Sequence, residues 1–114
     1  MKKNVTIKSD REFRRIYGKG RSAVTPFLVV YLRPNRLGHN RLGVTVSTKL
    51  GGAVVRNRAR RRLREVYRLA QPRMKQGYDM ILVARGPTAQ VSYRKLTAAF
   101  DKVCEKLQIL EDRP

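Results

Sequence analysis

Apolar positions along the chain change period several times, and each change marks an element. Phe13, Ile16 and Tyr17 fall at helical spacing behind Ser9-Asp10-Arg11-Glu12, which has the form of a capping box, so a short helix is expected over 9–17, stopped by Gly18 and Gly20. Residues 26–33, Pro-Phe-Leu-Val-Val-Tyr-Leu-Arg, are aromatic and β-branched and predict a strand. Pro34-Asn35 and Gly38-His39-Asn40 supply turn residues for a hairpin into a second, half-buried strand, where Leu42, Val44 and Val46 alternate with Gly43, Thr45 and Ser47.

Beyond Gly51-Gly52, the residues Val55, Ala59, Leu63, Val66, Tyr67 and Ala70 share one side of a helical wheel, predicting an amphipathic helix from Ala53 to Ala70 that ends before Pro72. Gln76-Gly77 separates it from residues 78–84, a nearly continuous apolar run that reads as a buried strand, and Gly86-Pro87 breaks the chain again. Ser92 caps a final helix whose stripe is Leu96, Phe100, Val103, Leu107 and Leu110. The expected order is helix, strand, strand, helix, strand, helix: a small α+β sandwich, with a strand-helix-strand crossover over 41–84 long enough for parallel pairing. At 114 residues the chain is expected to form a single domain over 1–114, with short flexible ends at about 1–7 and 110–114.

Composition changes the picture at one point, charge. Eighteen Arg and nine Lys face eight acids, for a formal charge of +19. An apolar fraction of 41% places these cations on a folded body. The excess asks for a polyanion, and arginine is the cation suited to bidentate contact with phosphate. Nucleic acid fits better than a membrane surface, because the basic helix has an apolar face of small and branched residues suited to a core, without Trp or Phe for an interface. Self-repulsion at this charge density also works against the free protein's compact state.

The inventory excludes other chemistry. One cysteine, Cys104, and one histidine, His39, exclude an intrachain disulfide and a Cys/His zinc site, and leave His39, among turn residues, as the sole base for a nucleophile triad. Cys104 reads as an inert core residue, and His39 as part of the turn. No signal-peptide pattern follows Met1-Lys2-Lys3-Asn4 and no apolar run reaches membrane-spanning length, so a cytoplasmic protein is expected. The acids are scattered. Asp101 and Glu105 read as partners for Lys102, Lys106 or other cations, and Asp79 as an ion-pair partner, with Arg85 nearby in sequence. No catalytic or metal-ligating cluster emerges.

The densest charge lies on the central helix, where Arg56, Arg58, Arg60, Arg61, Arg62, Arg64 and Arg68 are accompanied by one acid, Glu65. Arg56, Arg60, Arg64 and Arg68 stand four apart and, with Asn57 and Arg61, form a polar band opposite the apolar face; Arg58 and Arg62 lie on another flank. Like charges at this spacing cost a helix a few tenths of a kcal/mol per pair, so a merely solubilising face would interleave acids. Lys49 and the glycines at the helix start add N–H groups able to hold a phosphate.

The run Gly43-Val44-Thr45-Val46-Ser47, Lys49, Ala53-Val54-Val55-Arg56-Asn57-Arg58, Arg60-Arg61, Leu63-Arg64-Glu65, followed by Asp79 and Ala84-Arg85, resembles the signature of the bacterial ribonuclease P protein subunit. The resemblance covers nearly the whole chain, including an early aromatic pair, Phe13 and Tyr17. It implies a left-handed strand-helix-strand crossover in place of the right-handed hand that general statistics favour. It also implies a non-catalytic accessory that binds the RNase P catalytic RNA and aids removal of the 5′ leader from precursor tRNA, with Mg²⁺ held mainly by the RNA and no organic cofactor. Lys49, Arg56, Asn57, Arg58, Arg60, Arg61 and Arg64, with Arg68 of the same band, become the face for the RNA subunit. Phe13 and Tyr17 become leader contacts, although spacing alone would make them, with Ile16, a core stripe.

Departures from the family pattern are local. Val30 stands where an aromatic commonly faces the leader cleft, while Phe27 and Tyr31 lie on the same strand; Thr48 and Gly52 replace common basic residues, and Arg60 replaces a usual Lys. Two rival functions are weaker: a protein nuclease lacks clustered carboxylates, and a DNA-reading helix-turn-helix lacks a positioning helix before the arginine helix. A ribosomal or general RNA-binding protein would share the charge, size and fold class, and co-purification with ribosomal subunits or with a lone RNA separates the two.

Overall fold

The computed structural model describes residues 5–111. Helix α1 (Asp10–Lys19) starts as its capping residues predict, with Ser9 Oγ accepting the Glu12 N–H at 3.2 Å. It runs through Gly18 and ends at Gly20, whose N–H donates to the Ile16 carbonyl at 2.7 Å. Three strands follow, β1 (Arg21–Val24), β2 (Leu28–Pro34) and β3 (Arg41–Thr45); then α2 (Ala53–Ala70), β4 (Tyr78–Ala84) and α3 (Tyr93–Lys106), capped by Ser92 Oγ on the Lys95 N–H. The fold is the expected α+β class with one additional strand, β1.

The four strands lie in the order β1-β2-β4-β3. β3 and β4 are parallel, as the crossover length allows, and β2 is antiparallel to both β1 and β4. The expected hairpin of β2 with β3 does not form. Residues 35–40 do turn the chain, but β4 inserts between the two strands, and the hairpin partner of β2 is β1, joined through Thr25, whose hydroxyl accepts the N–H groups of Phe27 and Leu28.

Strand alternation gives the sheet two different faces. Ala23, Leu28, Val30, Leu32, Leu42, Met80, Leu82 and Ala84 point toward α2 and α3, and there the main core closes with Leu63, Val66, Tyr67, Leu96, Phe100 and Val103. Ile81 on the other face meets Ile7 and Ile16 under α1, a much smaller core with Phe13, Tyr31 and Val83 at its margin. Leu110 falls beyond α3 and bridges Met74. Within the ends expected to be flexible, Ile7 is buried and its N–H donates to the Leu42 carbonyl at 2.9 Å, and Leu110 is half-buried. Residues 1–4 and 112–114 of that expectation lie outside the described residues.

Candidate nucleic-acid interface

Helix α2 buries Ala59, Leu63, Val66, Tyr67 and Ala70 and turns its arginines outward. Asn57, Arg60, Arg61, Arg64, Glu65 and Arg68 line an open concavity of about 460 Å³, within which Arg60 Nη1 donates to Asn57 Oδ1 at 3.1 Å. Arg58, Arg61 and Arg64 are exposed; Arg56 and Arg60 are half-buried, and the Nε of Arg56 is buried without a hydrogen-bond partner. Among the described residues, none of these five arginines has an ion pair. Arg68 differs: it grips Glu65 through two hydrogen bonds, of 2.6 and 3.0 Å, which hold the Glu65 carboxyl below its usual range. Both partners are about one-third or more exposed, so water screens the pair and leaves it little obstacle to exchange for a phosphate.

Arg62 takes no part in the outward band. Its Nη1 donates to the carbonyls of Thr88 and Val91, tying α2 to the segment before α3. At the helix start, Gly52 offers no side-chain cap and the first turn holds no acid, so the positive end of the helix faces solvent next to exposed Lys49. The N–H of Lys49 itself is engaged, donating to Ser47 Oγ at 3.1 Å, so only its ammonium is open to an anion.

A second feature lies on the opposite sheet face. Ile16 alone of the early stripe is fully buried; Phe13 is half-buried and Tyr17 is 36% exposed. The Phe13 ring rests on the backbone of β3, where a Cβ at Gly43 would approach its ring atoms to 2.7 Å; glycine makes that seat possible. Tyr17 shares a hydrogen bond of 2.9 Å with Thr45 Oγ1 and meets Tyr31 edge to face, with ring centroids 4.8 Å apart. Asp10, Phe13, Arg14, Tyr17 and Thr45 line an open cleft of about 490 Å³. Val30 is not part of it. It is completely buried in the main core with Leu28 and Leu32, and Tyr31, one residue on, is the strand residue on the cleft side. The alternation of that strand carries the signal, since Val30 shares the parity of the two leucines.

The end of α1 nearer its start is clamped by charge. Arg41 donates through Nε and Nη2 to both oxygens of Asp79 at 2.8 Å, and through Nη1 to Glu12 at 2.9 Å. Asp79 also accepts from Asn35 Nδ2 at 2.8 Å. Burial by itself would raise the pKa of Asp79, but the hydrogen bonds from Arg41 and Asn35 outweigh it and hold the carboxyl below its ordinary value. The expected partner Arg85 is therefore replaced by Arg41, which sits directly opposite Asp79 in the β3–β4 ladder. Asp101 pairs across helices with Arg73 at 3.3 Å, one of the other cations open to it.

Among the described residues, no group of three or more His, Cys, Asp or Glu is placed to hold a metal ion, and no helix is long and apolar enough to cross a membrane. Cys104 is wholly buried, which pushes its thiol up to about 12 and leaves it unreactive; His39 is exposed in the turn.

The family model described as Ribonuclease P matches residues 1–108. The chain is 41% identical over 111 residues to the ribonuclease P protein component of Natranaerobius thermophilus, covering 97% of this chain and 96% of that protein. Its fold superposes on the RNase P protein of Staphylococcus aureus with a TM-score of 0.84 at 33% identity, covering 96% of this chain and all of the other. The RNase P protein of Thermotoga maritima gives 0.77 at 25% identity, over 88% and 96% of the two chains. With the family model spanning nearly its full length, the chain belongs to the ribonuclease P protein family, the protein components of a tRNA-processing nuclease.

Proposed function

We propose that the chain binds the catalytic RNA of ribonuclease P through α2 and receives the 5′ leader of precursor tRNA in the cleft beside α1, as a cytoplasmic accessory that does not itself cleave RNA. The observation that carries this reading is the row of five arginines around Asn57 that have no ion pair among the described residues. Their mutual repulsion is a cost in the free protein that phosphates would relieve, and release of condensed counterions would supply most of the affinity. The open start of α2 and the ammonium of Lys49 extend the same surface toward another backbone phosphate.

Phe13 and Tyr17, with Tyr31 behind them, suit a single strand, because a base stacks on an aromatic ring whatever its identity. Arg14 on the same cleft supplies charge for the backbone. The Mg²⁺ ions belong to the RNA in this reading. The cleft itself holds one carboxylate, Asp10, while Glu12 and Asp79 are both engaged by Arg41, and among the described residues these acids form no ligand cluster. The chain's part in the reaction is to bind and orient: α2 fixes the protein on the RNA, and the cleft holds the leader away from the bond to be cut.

Reconstitution tests the division of labour. Purified protein with precursor tRNA and Mg²⁺ should leave the substrate intact, and adding the RNA subunit should give cleavage at the mature 5′ end; cleavage by protein alone would overturn the accessory role. Tyr17→Ala should weaken binding of leader-bearing precursor by roughly 5- to 150-fold, the value of one stacked base at about 1–3 kcal/mol, and leave mature tRNA unaffected. Tyr17→Phe, which keeps the ring and loses the Thr45 bond, should retain most of the preference. Equal losses for both RNAs would return Tyr17 to a structural role.

A further inference from the structure

Half a helical turn round α1 from the aromatic pair lies a half-open concavity of about 700 Å³, within the roughly 300–1,000 Å³ range of ligand sites. Arg15 reaches it from α1, Arg33 from the end of β2 and Arg36 from the loop after β2, while Arg41, Glu12 and Asp79 form its floor. The floor triad sums to one negative charge, and the three other arginines add three positive ones. Among the described residues, Arg15, Arg33 and Arg36 have no side-chain hydrogen bond or ion pair. Arg33 lies directly across the ladder from Asp79, yet both carboxylate oxygens there are already taken by Arg41 and Asn35.

The loop that presents Arg36 is held in place. Arg36 has φ 61°, a left-handed conformation uncommon for a residue with a side chain. Asn35 Oδ1 accepts the Leu37 N–H at 2.8 Å, and its Nδ2 donates to the His39 carbonyl at 3.1 Å as well as to Asp79. One side chain thus locks the loop and completes the floor, so the backbone that carries Arg36 has little left to order on binding. No aromatic ring lines the concavity, which removes base stacking as its mode of recognition.

We propose that this concavity is a phosphate site, in which Arg15, Arg33 and Arg36 take a backbone phosphate of the RNA subunit, separate from both the α2 band and the leader cleft. Guanidinium forks arriving from three elements match the oxygens of a phosphodiester, and the contact is independent of sequence. The choice of RNA as the source rests on the reading above; the phosphate chemistry does not.

The test uses the full chain and the variant R15Q/R33Q/R36Q, which should fold as the wild type does, because these three side chains have no hydrogen bond or ion pair among the described residues and the hydrogen bonds from Arg41 and Asn35 still hold Asp79. Titration of the free protein with inorganic phosphate, followed by amide chemical shifts, should give saturable changes at Arg36 and Leu37 that the variant lacks; changes that do not saturate, or that persist in the variant, overturn the site. In binding to the RNA subunit the variant's salt dependence should be shallower by about 0.7–0.9 for each phosphate it no longer neutralises, with the preference for leader-bearing over mature tRNA unchanged. Saturable phosphate binding with an unaltered RNA salt slope would assign the pocket to a small phosphate-bearing ligand and overturn the RNA assignment. A lost leader preference would place it on the leader path and overturn the separation. Failure of the wild type to bind the RNA subunit would remove the functional reading, while the phosphate titration would still judge the pocket.

Discussion

Replacing Arg60 and Arg64 together with alanine is expected to flatten the log–log salt dependence of RNA-subunit binding by about 1.4–1.8, the counterion release expected when two phosphates go unneutralised. The two side chains lie in one concavity on α2, four residues apart, without a carboxylate partner among the described residues. Their loss removes a like-charge pair worth a few tenths of a kcal/mol of repulsion, so the melting temperature of the free protein should stay level or rise slightly. Arg62→Ala supplies the contrast. Its guanidinium holds two backbone carbonyls of the segment before α3, so this variant should lose stability and keep the salt slope of RNA binding. Equal slopes for the double variant and the wild type would dismiss the α2 band as the RNA face.

That contrast is only half legible in the sequence. Helical spacing separates Arg62 from the outward band, but its carbonyl partners come from a segment about thirty residues away and are set by packing. The bounds of α2 are legible because Gly52 and Pro72 punctuate it and its apolar face is continuous. Strand β1 is not: it is four residues long, only Ala23 is buried, and it exists through pairing with β2. The same limit explains the missing β2–β3 hairpin, since turn residues fix a reversal of the chain but not which strand fills the space beside it.

Strand geometry decides two neighbours differently from expectation. Val30 takes a cleft position from the family pattern, against the alternation of its own strand, which turns Tyr31 toward α1. Sequence proximity pairs Asp79 with Arg85, yet six residues along a strand is about 20 Å, and the cation within reach is the one opposite in register, Arg41. Both differences concern which neighbour a strand residue meets, and register is settled by the whole sheet.

The Arg41–Asp79 pair also sets the largest expected loss of stability. The two side chains are 17% and 7% exposed, so Asp79→Ala strands a guanidinium in a largely buried position with only Glu12 beside it. Breaking a buried pair from one side costs about 3 kcal/mol at the lower end of its range, or roughly 10 °C in melting temperature for a domain of this size. Asn35 loses an acceptor at the same time, which loosens the loop carrying Arg36. The effect should depend on pH in one direction. Because the folded pKa of Asp79 lies below its unfolded value near 3.8, its contribution is complete at neutral pH and is lost as the pH falls through the folded pKa. The gap in melting temperature between wild type and variant should therefore be widest at neutral pH, start to narrow as the pH falls to the unfolded value of 3.8, and close only below the folded pKa. A gap that did not narrow on acidification would mean that the variant's loss comes from packing alone. Since Arg41 also holds Glu12 in the first turn of α1, the variant should lose leader preference at neutral pH as well, linking the charge at the base of the sheet to the placement of Phe13 and Tyr17 above it.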